Sequence, residues 1–397
     1  MNTQNWLGCV VGLGVCFGTA TTWAAEDVPE IVGRWSLTVD APEGKLPSWL
    51  SIEQKNGRLS GRFCGFVGGV HDAEGFSYAD GVISFKARHG AYRARIEGEQ
   101  LVGELDIDEE GRAKGTCKFV GVRDVYRPNV TGTWTLIEDT EKHRLVLEAD
   151  GKTIKGTLTR DGENDAVPIR DASITDAQLH FVAEGMGWFV ADICGDKMSG
   201  TIKDEDASQS FTAMREREWA KPIVLFNRKD LTGWTGVRGA AIENWKVRDG
   251  AMVNTRNGGN IRTVDEFMDF KLALEFNIHP HSNSGVYLRG RYEIQIFDDY
   301  GRPPVGDGCG AIYTRLTPPV NASKKAGQWQ ALEVTLIGRC ITVVLNGTTL
   351  FDNVRLEGIT GGAIDSDENA AGPIFFQGDH GQVQYRAIKL WPAKAAR

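Results

Sequence analysis

Apolar and polar residues alternate with period two along nearly the whole chain, and no window carries the 3.6-residue spacing of an amphipathic helix. Leu50-Ser51-Ile52, Tyr92-Arg93-Ala94-Arg95-Ile96 and Leu145-Val146-Leu147 are short strand-like runs with Gly or Asp close by. Glycine supplies 48 of 397 residues, about 12% against an average near 7%, as many tight turns between short strands would require. The pattern predicts an all-β protein. With 41% hydrophobic and 25% charged residues the chain is core-forming, and its length suits two or three domains. A formal net charge of −8 argues against a broad phosphate-binding surface, so no nucleic-acid partner is expected.

An internal repeat precedes residue 220. Gly33-Arg34-Trp35-Ser36-Leu37 matches Gly132-Thr133-Trp134-Thr135-Leu136, and Leu59-Ser60-Gly61 matches Ile154-Lys155-Gly156. Ile83-Ser84-Phe85 then matches Leu179-His180-Phe181, and Leu101–Leu105 matches Met198–Ile202. Offsets of 99, 95, 96 and 97 keep order and spacing over a whole unit. The expectation is a duplicated small β-barrel or β-sandwich at 25–127 and 128–218, with Trp35 and Trp134 closing one end of each core. Arg215–Pro222 reads as a linker and Asp204-Glu205-Asp206 as a hairpin tip. His71 and His89 lack a catalytic partner pattern in the second copy, so these units read as a scaffold or as a region that binds protein or glycan.

Residues 1–24 contain no Asp, Glu, Lys or Arg, and small residues ending at Thr22-Trp23-Ala24 follow the apolar run Trp6–Phe17. This reads as a secretory signal peptide, giving a periplasmic or secreted protein with no membrane span. Export permits disulfides. Outside the signal lie Cys64, Cys117, Cys194, Cys309 and Cys340, an odd number. Cys64 with Cys117 is the best candidate pair, the alternative being five buried thiols. With no C-x-x-C there is no case for a zinc site.

The stretch most informative about chemistry is Ser282–Asp298. Val286 and Leu288 alternate with Tyr287 and Arg289, and Ile294 and Ile296 alternate with Glu293 and Gln295. A hairpin that pairs Arg289 with Glu293 and Tyr287 with Gln295 keeps one face aliphatic and one polar, with Gly290-Arg291-Tyr292 as the loop. The polar face is either a site or an ordinary solvated face. Tyr and Gln beside the charges, Asp298 at the strand end and the Gly-rich segment Gly301–Gly310 as a rim favour a site.

Phe226-Asn227-Arg228-Lys229-Asp230-Leu231-Thr232-Gly233-Trp234 resembles the opening of the 3-keto-disaccharide hydrolase family, whose members are also described as 3-keto-glucoside 1,2-lyases and 3-keto-2-hydroxy-glucal hydratases. Further blocks follow in order: Asn283–Arg289, Tyr292–Gln295 with Asp298, Gly310–Tyr313, Gly327–Gln330, Leu345–Gly347, Gln377–Gly381 and Tyr385-Arg386. They span 222–394. Arg228 stands where the family has Gly, and Ala387 where Asn is common. The resemblance implies a concanavalin-like jelly-roll sandwich. It also implies action on an oligosaccharide or glucoside in its 3-keto form. The C2 proton is removed, the C1 aglycone leaves by β-elimination, and water adds to the glucal. On this reading Glu293 or His380 transfers the proton, Arg289 stabilises the enolate, and Asp298 orients His380 or acts as a second acid. Asn283, Tyr287, Gln295, Tyr313, Gln377 and Arg386 would bind sugar hydroxyls. Trp329 reads as core packing and Asn346-Gly347 as a hairpin turn.

Two alternatives stand beside it. Glu293-x-Gln295-x-x-Asp298 has the spacing of the E-x-D-x-x-E motif of laminarinase-like retaining glycosidases, which need two carboxyls about 5 Å apart, although Gln occupies the central position. A non-catalytic carbohydrate-binding protein is the other. No cofactor or metal is expected: Asp365–Asn369 reads as an exposed acidic loop rather than a calcium loop, His279-Pro280-His281 lacks ligand spacing, and no dinucleotide fingerprint is present.

Overall fold

The computed structural model describes residues 30–88, 90–108, 115–204, 207–255 and 258–395. The signal-peptide segment 1–24, His89 and most of the Asp204–Asp206 run lie outside them. Among the described residues, regular structure is strand throughout apart from a 3-10 turn at Val237–Gly239. The all-β expectation therefore holds.

Strands from Gly33–Ala41 to Gly115–Arg123 form a nine-stranded antiparallel sheet around one apolar core. Those from Gly132–Glu138 to Ser208–Arg215 close into an eight-stranded barrel around another. Trp35 and Trp134 are buried in matching surroundings. Each indole N–H donates to a carbonyl four residues earlier, Ile31 and Val130. Each ring lies under a cross-strand guanidinium, Arg123 at 4.4 Å and Arg215 at 4.5 Å, a contact worth about 0.5–2 kcal/mol. Arg215 is thus part of the barrel and not of a linker; it also pairs with Asp196 at 2.8 Å.

The C-terminal unit is a sandwich of two antiparallel sheets. One runs in the order Trp245–Arg248, Ala251–Asn254, Val383–Pro392, Phe270–Ile278, Gln330–Ile337, Cys340–Leu345, Thr348–Arg355, with Ile223–Val224 pairing Val383–Pro392. The other runs Trp234–Gly236, Ile261–Thr263, Phe375–Phe376, Asn283–Leu288, Tyr292–Phe297. Phe276, Leu332, Ile341, Val286, Ile294 and Tyr385 fill the space between them. Asn346-Gly347 is the expected two-residue hairpin turn, both residues at positive φ (52° and 81°). Trp329 is not core. It is half-buried under the Arg386 guanidinium, 3.8 Å from the ring centroid.

The disulfide is Cys194–Cys340, joining the barrel to the sandwich, so the Cys64–Cys117 pairing is overturned. Cys117 points into the core of the first sheet, whereas Cys64 points outward into a small apolar cluster with Trp49, Ile359 and Ala363. Thiols on opposite faces of a sheet cannot meet. The Asp365–Asn369 loop is also not simply exposed. Glu368 is buried at the junction of the units, with Arg34 at 3.1 Å and Arg339 at 3.5 Å, and Arg339 also holds Asp124. Burial raises the Glu368 carboxyl against the pull of these guanidiniums. Asp365 is taken by Arg291 at 2.6 Å.

Candidate active site

The hairpin Asn283–Leu288 and Tyr292–Phe297 has the predicted faces but a different register. Leu288 pairs with Tyr292, Tyr287 with Glu293 and Val286 with Ile294, so the loop is 289–291. Tyr292 decides this. As the last large apolar side chain it goes into the core beside Leu288, with its hydroxyl donating to Glu368 Oε1 at 2.9 Å. Arg289 is thereby moved into the turn at φ 50°. Its guanidinium leaves the polar face and donates to the Gly338 and Glu368 carbonyls at the junction of the units.

The outer face is not solvated. Tyr287 is 1% exposed, and Glu293 and Gln295 are each 3% exposed. They lie at the bottom of a cavity of about 490 Å³ that also takes in Asn283, Tyr313, Gln377, Asp379 and His380. Seven predicted residues therefore meet at one site: Glu293, His380, Asn283, Tyr287, Gln295, Tyr313 and Gln377.

Three do not line it. Arg289 is in the turn. Asp298 lies beyond the strand, where its Oδ2 accepts the His281 N–H at 2.9 Å. Arg386 lies in the opposite sheet, paired with Glu275 at 2.6 Å. The Glu293-x-Gln295-x-x-Asp298 spacing consequently does not bring two carboxyls together, because Asp298 has the opposite parity to 293 and 295.

Glu293 is shaped by its neighbours. A Cβ on Gly285 would lie 2.2 Å from Glu293 Oε1, so the carboxyl occupies the space that this missing side chain leaves. Tyr287 Oη lies 2.8 Å from Glu293 Oε2 and 2.8 Å from the Gly361 carbonyl. One hydroxyl proton serves both arrangements. It is donated to Oε2 when Glu293 is ionised; when Glu293 is neutral, Tyr287 accepts the carboxyl proton and donates to Gly361. Glu293 can thus gain or lose a proton without losing its partner. Burial pushes its pKa up to about 8, against smaller lowering effects from the Tyr287 hydrogen bond and the His380 charge. That range suits general acid–base work near neutral pH.

His380 is half-exposed at the same cavity. Its Nδ1 meets Asp379 Oδ1 at 2.6 Å, which raises its pKa above the ordinary histidine value despite partial burial. Burial would raise Asp379, but the His380 hydrogen bond and charge outweigh it and hold the carboxyl low. The loop is pinned from below. Asn254 Nδ2 donates to the Gly378 and Gly381 carbonyls at 2.6 and 2.7 Å, and Gly378 N–H donates to Asn260 Oδ1 at 2.9 Å. Asp379, not Asp298, orients the histidine.

Three amide oxygens at this cavity, Asn283 Oδ1, Gln295 Oε1 and Gln377 Oε1, are buried without a hydrogen bond from the protein. The backbone fixes two of them. Gln295 Nε2 donates to Asp307 O at 3.1 Å, which is what the Gly301–Gly310 segment contributes. Gln377 N–H donates to Gly285 O at 3.0 Å, while Ser284 Oγ donates to Gln377 O at 2.6 Å. Buried acceptors are ordinarily satisfied, and three around one cavity fit a ligand rich in hydroxyl donors.

Sequence reasoning missed Asp379, Asn260, Arg238 and the first-unit residues Glu43, Leu46, Phe66 and Val67 that line the same cavity. Asp379 was legible, standing inside the Gln377–Gly381 block. The others carry no local signal, because long-range packing brings them there.

The model of the 3-keto-alpha-glucoside-1,2-lyase-like domain matches residues 221–391. A candidate glycosyl hydrolase of known structure from Parabacteroides distasonis is 30% identical, with 43% of this chain and 83% of that chain covered and a TM-score of 0.39. A second from the same organism is 27% identical, covering 43% of this chain and 98% of that chain, with a TM-score of 0.35. No curated protein matches. The chain belongs to the family of the 3-keto-alpha-glucoside-1,2-lyase-like domain, which it carries at residues 221–391, and by that membership is a carbohydrate-active enzyme.

Proposed function

We propose that this protein cleaves 3-keto-glucosides by elimination and hydration. The observation that carries the reading is the meeting of a proton-transfer carboxyl, Glu293, with three unsatisfied amide acceptors in one cavity. The amides of Asn283, Gln295 and Gln377 accept from sugar hydroxyls. Glu293, as carboxylate, takes the C2 proton that the 3-keto group acidifies. The C1–O bond then breaks as the C1–C2 double bond forms, and Glu293 returns the proton to the departing oxygen. Protonated His380, held by Asp379, faces the negative charge that develops on the C3 oxygen, the role first expected of Arg289. In the second half water adds across the double bond, hydroxyl to C1 and proton to C2, giving 3-ketoglucose. Arg238 adds a cation at the rim.

We further propose that the chain works outside the cytoplasm. The Cys194–Cys340 disulfide supports this, as does the uncharged N-terminal run. Among the described residues no helix is long and apolar enough to cross a membrane.

Incubation with 3-keto-trehalose or a 3-keto-glucoside, followed by chromatography for the glucal and 3-ketoglucose, tests the proposal. Glu293→Gln is expected to lower kcat by roughly 10²–10⁴-fold with substrate binding retained. Cleavage of an unoxidised β-glucan with none of the 3-keto substrate would overturn it.

A further inference from the structure

The two N-terminal β units follow one repeat, so positions of one have counterparts in the other. Gly90 and Gly187 mark the same point. Both have positive φ (147° and 98°), and a Cβ on either would strike a carbonyl oxygen of the next strand, Asp106 O at 1.9 Å and Lys203 O at 2.2 Å. The residue that follows is Ala91 in the first unit and Trp188 in the barrel. Ala91 pairs across strands with Lys86 and Asp106, and Trp188 with Val182 and Lys203. Trp188 is 62% exposed, and it is the one exposed tryptophan among the described residues. The fold does not call for an indole here, since the sister unit begins the same strand with alanine, and tryptophan is on average a highly buried residue.

The face around Trp188 differs between the units in the same sense. One row further along, the first unit sets Arg93, Glu104 and Lys118 side by side on three strands. The barrel has Val190, Thr201 and Ser210 there, with His180 on the adjoining strand. The next row of the barrel adds Ser199 and Thr212. These side chains point outward, because their strand neighbours Phe189, Ala191, Met198, Ile202, Phe211 and Ala213 lie in the barrel core. Three charged side chains of the first unit thus correspond to one valine and two hydroxyls. Lys203 beside the tryptophan and Asp192 at the far end border the face with one charge of each sign.

We propose that this outer face of the barrel binds a neutral polysaccharide chain, with Trp188 as its stacking platform. A pyranose ring presents C–H groups to the electron-rich face of an indole. Its hydroxyls both donate and accept, as do those of Thr201, Ser210, Ser199 and Thr212. A face without net charge offers an anionic polymer no general attraction. Laying a neutral sugar over Arg93, Glu104 and Lys118 would desolvate three charges, a cost that Val190, Thr201 and Ser210 avoid. The four strands that carry Val182, Trp188, Thr201 and Ser210 span about 14 Å, which suits a short run of sugar units rather than one. The proposal rests on the family's action on carbohydrate and not on the lyase reading.

Affinity electrophoresis of the full-length protein tests it, in native gels containing laminarin, dextran, hydroxyethylcellulose or the anionic polymer alginate. Wild type should be retarded by at least one of the neutral polymers. Trp188→Ala, which gives the barrel the residue of its sister unit, should weaken that binding roughly tenfold or more. Its side chain is mostly in solvent, so this variant should keep the wild-type Tm. Trp188→Phe should retain much of the binding, and Thr201→Glu, which restores a charge of the sister face, should weaken it. Retardation by alginate alone overturns the neutral ligand. Retardation that survives Trp188→Ala puts the sugar elsewhere, the candidate active site included, and overturns the face. No retardation by any polymer overturns the proposal outright; if sedimentation velocity then shows a self-association that Trp188→Ala abolishes, the face is a protein interface instead.

Discussion

Replacing Glu293 by Gln should make the protein more stable at neutral pH while it stops catalysis. The carboxyl's pKa is about 8 in the folded chain against 4.5 for the free group, because burial favours the neutral form. A folded-state pKa raised in this way gives stability that is complete below 4.5 and is lost as the pH rises through 8. At pH 7 the unfolded chain has released this proton and the folded chain mostly has not. Two and a half pH units at about 1.4 kcal/mol each cost the native state roughly 3 kcal/mol. Gln has the same shape, can donate to Tyr287 and does not titrate. Its advantage over wild type should therefore be small near pH 4.5, grow to roughly 3 kcal/mol at pH 7 and level off above pH 8 near 5 kcal/mol. Urea unfolding followed by tryptophan fluorescence, on both proteins at pH 5, 6, 7 and 8.5, measures the difference directly. A stability difference that stays constant across this range would refute the raised pKa, and with it the assignment of Glu293 as a proton-transfer group at neutral pH. In the active enzyme, kcat/KM should rise with pH as Glu293 ionises, around its pKa of about 8.

Three further outcomes follow from the same geometry. Gly285→Ala should displace the Glu293 carboxyl, since the new Cβ would lie 2.2 Å from Oε1. Activity is expected to fall by about 10²-fold, with a destabilisation of about 1–3 kcal/mol; full activity would show that the carboxyl position is not critical. Ala387 sits at φ 53°, so Ala387→Gly should relieve about 1 kcal/mol of left-handed strain and raise Tm, as calorimetry will show, without changing activity. Cys194→Ser should cost about 2–5 kcal/mol, because the Cys194–Cys340 bond closes a sequence separation of 146 residues. Limited proteolysis should then release the barrel from the sandwich, and unchanged protease resistance would count against a structural role.

Both family departures fall at positions with a physical reason. Arg228, in place of Gly, has φ 67°, and Ala387, in place of Asn, has φ 53°. These are left-handed conformations that Gly and Asn adopt most easily. The family pattern records a backbone demand there, which this chain meets with less suited residues. At the hairpin, the period-two alternation correctly gave which residues share a face, because strand parity depends on sequence alone. It could not give the register. Shifting both ends of a loop by one residue conserves every face, and only the core's place for Tyr292 chose between the alternatives.

The alternation of side chains therefore determined by itself that this chain is all-β, and that Tyr287, Glu293 and Gln295 stand together on one face. The ordered blocks determined the family and pointed to Asn283, Tyr313, Gln377 and His380 as companions. Tertiary structure alone decided that this face is buried, that Asp379 orients His380, that Arg289 turns away, and that Cys194 bonds Cys340. It also brought Leu46, Phe66 and Val67 of a distant unit to the mouth of the site. Parity is local and survives in the sequence, whereas burial, pKa and cavity walls are made by segments hundreds of residues apart.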